Sequence, residues 1–514
     1  MSTLDYVVIA AFFLLIVYFG YLFKQVSGNT RGFFLAGRSL PGWLAGISFI
    51  SGNVSAMEIL GLTGGAYVYG MVFAQYDWIG AIPAIIVLSL VLVPFYYGNR
   101  VYNLPEFLGK RYGGAARASI SALMLSYMLL ALGTGLYVFA LALNVMLGWP
   151  IWISAVAAAV VLGVITASGG LPASVLVQFV AFSFIWFTLL PIGILAYLEV
   201  GGWSGLEASL APEMLTVWRP AGDEFMPWPA TILGLGITLA GASWATDQAI
   251  MQNILAARSL EDARKAPLIG GLVKLAVPMI SVIPGMAAAV LIPGLEKPDT
   301  AIFRLVLRYY PDGMAGLGFL SIMGAFSAMN VGMIMGISNI FTRNLYRRHV
   351  RADADDAHYL RVSRLASAGA LALGVLTALV AAQFRTVYIW MQEYNIFVIV
   401  PVFGILLLGI FWRRATTSGA FVGLAVGVLS SVSAYFLMDG EHLMWRAAGT
   451  LAVVVVAASL ASLFTPAPPS ADLEGLVWGT LPQESPTTLP WWRRAEALAA
   501  LLVVIMTALL ITFA

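Results

Sequence analysis

Two long apolar stretches in this chain are interrupted by polar breaks and carry carboxylates. Asp247 lies in the middle of the stretch 230–257, within Gly241-Ala-Ser-Trp-Ala-Thr-Asp-Gln248. Ser51-Gly52-Asn53 breaks a second stretch, and Glu58 follows closely inside it. An ionised carboxylate at membrane depth is costly, so it usually faces a cavity and marks a pathway. Small residues beside each break let a helix unwind and offer backbone groups to a ligand. Two such interrupted spans, far apart in one chain, point to a secondary transporter.

The rest of the sequence agrees that most of the surface meets lipid. Of 514 residues, 61% are hydrophobic and 10% are charged, against about 25% charge in a soluble domain. There is no Cys, which excludes disulfides, thiol catalysis and cysteine metal sites. The three histidines, His349, His358 and His442, are not spaced as metal ligands. A net charge of +2 gives no sign of a nucleic-acid partner.

Apolar runs of about 20 residues give about 14 spans. The first, 5–23, is not a cleaved signal peptide, because no Lys or Arg precedes it. With the N-terminus outside, 20 of the 27 Lys and Arg fall in cytoplasmic loops and 6 outside, with Lys274 inside the membrane. That bias is what the positive-inside rule asks for. The chain divides into an N-terminal span and cytoplasmic loop (1–41), spans 2–6 (42–198), an extracellular loop (199–228), spans 7–11 (229–411) and C-terminal spans 12–14 (412–514). The acidic loop 199–228 is expected to cover the outer face, and the Pro- and Ser-rich stretch 465–490 to link the last span. No P-loop or GxSxG motif occurs, so the chain is not expected to be an enzyme or an ATP-driven pump.

Several runs are similar to those of the sodium/solute symporter family, the group of the sodium–glucose cotransporters. They are Phe34-Leu-Ala-Gly-Arg38, Gly52-Asn-Val-Ser-Ala56, Leu104-Pro-Glu-Phe107, Trp244-Ala-Thr-Asp-Gln248, Ser338-Asn-Ile-Phe-Thr342 and the run Gly404 to Arg413. The arrangement most resembles the bacterial sugar symporters. The resemblance implies an all-α membrane protein with the leucine-transporter-type fold, a 5+5 inverted repeat of spans 2–6 and 7–11.

The same resemblance implies a set of solute-binding residues. Glu58 falls where sugar symporters carry a Gln. Tyr76 and Asp77 match an aromatic–acid pair at the outer start of span 3. Tyr127 matches a pocket aromatic, while Ala131 replaces an Asn one turn on. Asp247 matches an Asn or Asp, Lys274 a pocket lysine, and Gln392 a polar group in span 11. Such groups suit a polyol, whose hydroxyls donate and accept at once. All of these but Gln392 also have a plain structural reading. Glu58 and Asp247 could serve the broken helices, Lys274 could neutralise acids, Asp77 could be solvated, and the tyrosines could be packing.

The sodium site is where the sequence departs from the family. The resemblance places that site at the carbonyls near Ser51 and Val54, the carbonyl of Ala325, and two hydroxyls at 328 and 329. Here those two positions are Ala328 and Met329. A methyl and a thioether cannot replace oxygen ligands for a hard cation. Each lost contact is worth roughly 1.5–3 kcal/mol, so affinity drops by at least about two decades. The family's Thr-Asp near the ion exit route is Val177-Gln178 here. Sodium is the coupling ion by resemblance, and a proton, no ion, or a sodium ion held elsewhere are the options the residues leave open. The expected partners are a small polar solute and the lipid bilayer of the cell membrane. Carriers of amino sugars, amino acids, vitamins or organic acids, and a transporter-like sensor, are the competing readings.

Overall fold

A computed structural model describes residues 3, 4, 7, 38–383, 387–438, 443–481 and 490–514. The first expected span, 5–23, and positions 34–37 fall outside them, apart from residue 7. Among the described residues the regular structure is helical, with two isolated bridges, Leu40 to Ala257 and Arg219 to Pro227. This is the lipid-compatible solution, since a helix satisfies its backbone polar groups within one segment.

The first broken span consists of α1 (Gly42–Asn53) and α2 (Ala56–Tyr69), bent by 56°. Val54 and Ser55 leave helical geometry between them. The break therefore falls just after the Ser51-Gly52-Asn53 run. Small residues permit an interruption, but the cap fixes its position: the Ser55 hydroxyl accepts from the Glu58 N–H at 3.2 Å, as a helix N-cap does. After a 3₁₀ turn, Gly70–Tyr76, come α3 (Ile82–Gly98), α4 (Leu104–Tyr112), α5 (Gly114–Leu147) and α6 (Ile151–Glu199). The expected spans 151–168 and 172–198 are thus one helical backbone. Pro172 removes a single N–H, and in lipid the neighbouring backbone groups have no better partner than the helix.

The second broken span enters as a π-helix, Thr231–Ala240, and continues as α7 (Gly241–Thr246) and α8 (Gln248–Leu255). Asp247 separates the last two, with φ −64° and ψ 110°. Then follow α9 (Leu260–Ala276), α10 (Val282–Leu291), α11 (Ala301–Tyr309), α12 (Met314–Ile340) and α13 (Asp356–Ala381). The chain closes with α14 (Val387–Tyr394), α15 (Val400–Phe411), α16 (Thr417–Leu437), α17 (Leu443–Leu463) and α18 (Ala495–Thr512). Among the described residues, nine helices are long and apolar enough to cross a membrane, or ten if the bent pair α1–α2 is one span.

Apolar side chains such as Phe187, Leu365, Leu429 and Val504 point outward, whereas Asp77, Lys274, Gln248 and Asn253 are buried. The loop expected to cover the outer face folds onto the broken span. The Gln75 amide donates to the Val217 carbonyl at 3.0 Å and Arg219 to the Tyr69 carbonyl at 2.9 Å. Gly70, at φ +79°, has no room for a side chain beside Met214.

Candidate functional site

The sharpest cluster forms where α2, the turn after Tyr76, and α9 meet. Lys274 on α9 donates to Asn53 Oδ1 at 2.8 Å and lies 2.8 Å from Asp77 Oδ1. It also donates to Glu58 Oε1. The lysine side chain is 2% exposed, Asp77 0% and Glu58 18%. Asp77 is therefore enclosed, not solvated at the interface. Each partner follows from local structure: Glu58 sits in the first turn of α2, Asp77 ends the 3₁₀ turn, and Lys274 is in the last turn of α9. Indole groups frame the cluster. The Trp78 N–H donates to the Leu275 carbonyl at 3.2 Å, and the Trp244 ring lies 5.9 Å from the lysine nitrogen.

Trp244 leads to the second group, since it lies on the short helix α7 that ends at Asp247. Tyr127 on α5 and Tyr394 on α14 are both buried. Those two rings meet edge to face at 5.5 Å. Gln392, two residues before Tyr394, accepts from the Asn395 amide at 2.9 Å. Tyr76 packs its ring 5.4 Å from Phe73. The structure thus brings Glu58, Asp77 and Lys274 together with Tyr76 next in the chain, and sets Tyr127 against Tyr394, two residues from Gln392.

Reading the sequence alone missed three contributors. Asn53 was seen as part of a break, not as a ligand for Lys274; an amide two residues before an N-cap was the available signal. Tyr394 was hidden among many aromatics. Glu393 pairs with both terminal nitrogens of Arg446 on α17, one contact being 3.0 Å, and only the fold brings those residues together.

At the expected sodium site, Ser51 and Val54 are buried at the end of α1. Met329 sits on α12, and the nearby Ser327 hydroxyl is committed to the Met323 carbonyl at 2.9 Å. The side chains of Ala325, Ala328, Val177 and Gln178 lie outside the described residues.

Other quoted runs meet elsewhere. The Asn103 amide donates to Asn339 at 2.8 Å, Asn344 donates to Asn103 at 2.9 Å, and the Gln248 amide donates to the Tyr102 carbonyl at 3.1 Å. This buried amide network joins the loop before α4 to α8, to α12 and to the π-helical turn after it.

Broken helices around an enclosed polar cluster, in a bundle with an apolar exterior, define a membrane transporter. Sequence and structure comparisons give its family. The chain matches the model of the sodium:solute symporter family over residues 33–427 and belongs to that family. It is 27% identical over 472 residues to the sodium/glucose cotransporter of Vibrio parahaemolyticus, covering 86% of each chain. It is 26% identical to the human sodium/myo-inositol cotransporter, covering 91% of this chain and 74% of that one. Its fold is similar to that of a Na⁺-coupled sialic acid symporter, with TM-score 0.80, 20% identity, and 91% and 99% of the chains covered. Mhp1, a nucleobase-cation-symport-1 family transporter, matches with TM-score 0.55 at 15% identity, over 86% and 97% of the chains. The relatives are cotransporters, so the chain is a secondary symporter and not an enzyme.

Proposed function

We propose that this chain imports a small polar solute, a sugar or related polyol, across the cell membrane by alternating access, with its N-terminus outside. In this reading about 14 spans include two inverted repeats, 42–198 and 229–411, that rock around a pocket of Glu58, Tyr76, Asp77, Tyr127, Asp247, Lys274 and Gln392. The observation that carries it is the meeting of Glu58 on the first broken span with Lys274 of the second half. Two relatives named for glucose and myo-inositol support the solute class. Sodium is not held at the site marked by Ala328 and Met329, because that pair supplies no hydroxyl.

A second reading rests on charge: Glu58, Asp77 and Asp247 outnumber Lys274, which favours an amino sugar or another basic solute. Purified protein in liposomes separates these readings. Labelled glucose, mannose, myo-inositol and glucosamine would be offered with and without a sodium gradient. Uptake of a neutral probe without sodium stimulation is expected. Uptake of glucosamine alone would favour the basic-solute reading. Binding with no uptake of any solute would sink the transporter reading, and saturable sodium stimulation lost on changing Met329 would sink the claim about sodium.

A further inference from the structure

The cluster at Lys274 carries one ammonium and two carboxylates. If every group is ionised, it leaves a net charge of −1 within the membrane. Among the described residues no second cation is in contact with Glu58 or Asp77. Titratable groups on the packed elements include Tyr76 beside Asp77, Asp247 at the α7–α8 break, Tyr127 and Tyr137 on α5, Tyr394 on α14 and Asp299 against Gly64 of α2, together with Arg304 and Arg308 on α11, Arg219 at Tyr69, Arg117 on α5, and Glu261, Asp262, Arg264 and Lys265 at the start of α9. Arg117, Arg264, Lys265 and Arg308 pair with other acids, and Lys274 is the cation that contacts Glu58 and Asp77 among the described residues.

The geometry shows what supplies the missing charge. Glu58 and Asp77 both lie against the single ammonium of Lys274, with Asp77 Oδ1 at 2.8 Å. Buried Oε2 of Glu58 and Oδ2 of Asp77 nevertheless have no hydrogen-bond partner among the described residues. Two buried carboxylates on one ammonium leave a negative charge unbalanced, and carboxyl oxygens without a donor gain one when the pair takes up a proton. One proton therefore corrects both the charge and the hydrogen bonding. A sodium ion would have to approach the same oxygens beside an ammonium 2.8 Å from one of them.

We propose that Glu58 and Asp77 share one exchangeable proton around Lys274, and that this proton is the ion coupled to solute movement. The coupling half of this inference rests on the transport reading above. Glu58 is the partly exposed member and admits the proton, whereas Asp77 is closed off. A protonated Glu58 both donates and accepts, so it can bind a solute hydroxyl that an ionised carboxylate meets only as an acceptor. Proton and solute then bind together from outside and leave together inside.

Infrared titration of the purified full chain tests the proton itself, without a solute. A protonated-carboxyl band that titrates, and that Glu58→Gln and Asp77→Asn each remove, is expected. A band untouched by either replacement, or no band, overturns the shared proton. Liposomes with an internal pH dye test the coupling. Exchange of labelled glucose, mannose, myo-inositol or glucosamine at equal concentrations on both sides needs no gradient and reports transport alone. Net uptake of the exchanged probe should bring protons in, with about tenfold accumulation of a neutral probe per unit of pH gradient. Exchange without proton entry in the unaltered protein overturns the coupling and leaves transport standing. If no probe exchanges, the transport reading and the coupling fall together, and the infrared band still decides the proton.

Discussion

Asp247 is the residue at which the second broken span leaves helical geometry. Asp247→Asn keeps the shape and most of the bonding, whereas Asp247→Ala leaves partners unsatisfied at about 1–3 kcal/mol. Solute uptake should be abolished in the Ala variant and partly kept in the Asn variant. Wild-type uptake in both would remove Asp247 from the pocket. Lys274 makes a separate demand, because it neutralises buried carboxylates. Lys274→Ala should lower stability by about 3–5 kcal/mol, the cost of stranding a buried charge, read as a large fall in the thermal midpoint in detergent. An unchanged midpoint would mean that no ionised carboxylate is left behind. These residues were legible in the sequence because a charge in an apolar span is conspicuous. Asn53 and Tyr394 were not, since an amide at a break and an aromatic in a helix have many ordinary uses.

Among the elements, the breaks are the features that make a site possible. Both were visible as small or polar residues inside apolar runs, but the end of α1 depends on where a cap can form, and Ser55 supplies it. The absence of a turn between 168 and 172 has the same kind of cause, since Gly and Pro permit a turn that only packing can impose. The amide network explains several of the quoted runs without placing them in the pocket. Asn103 bonds both Asn339 and Asn344, so Asn103→Ala should cost about 1–3 kcal/mol by leaving buried amides unpaired. Its thermal midpoint should fall while the solute Kd stays near wild type. Loss of binding with an unchanged midpoint would instead put Asn103 in the solute path.

For the molecule as a whole, orientation is the property that the loops predict and that labelling can read. The chain has no Cys, so single cysteines report cleanly in intact cells. Glu224→Cys should react with an impermeant thiol reagent from outside, and Arg351→Cys only after the membrane is opened; the reverse pattern would invert the topology. The all-helical membrane architecture was set by the sequence alone, because a long apolar run in lipid has no alternative to satisfying its backbone within a helix. The two interrupted spans were set there too, because polar groups amid apolar ones stand out locally. Tertiary structure decided which charges meet. Lys274 lies more than 190 residues from both Glu58 and Asp77, and Arg446 is 53 residues from Glu393. Hydropathy is a property of neighbours along the chain, whereas an ion pair depends on the packing of helices that are distant in sequence.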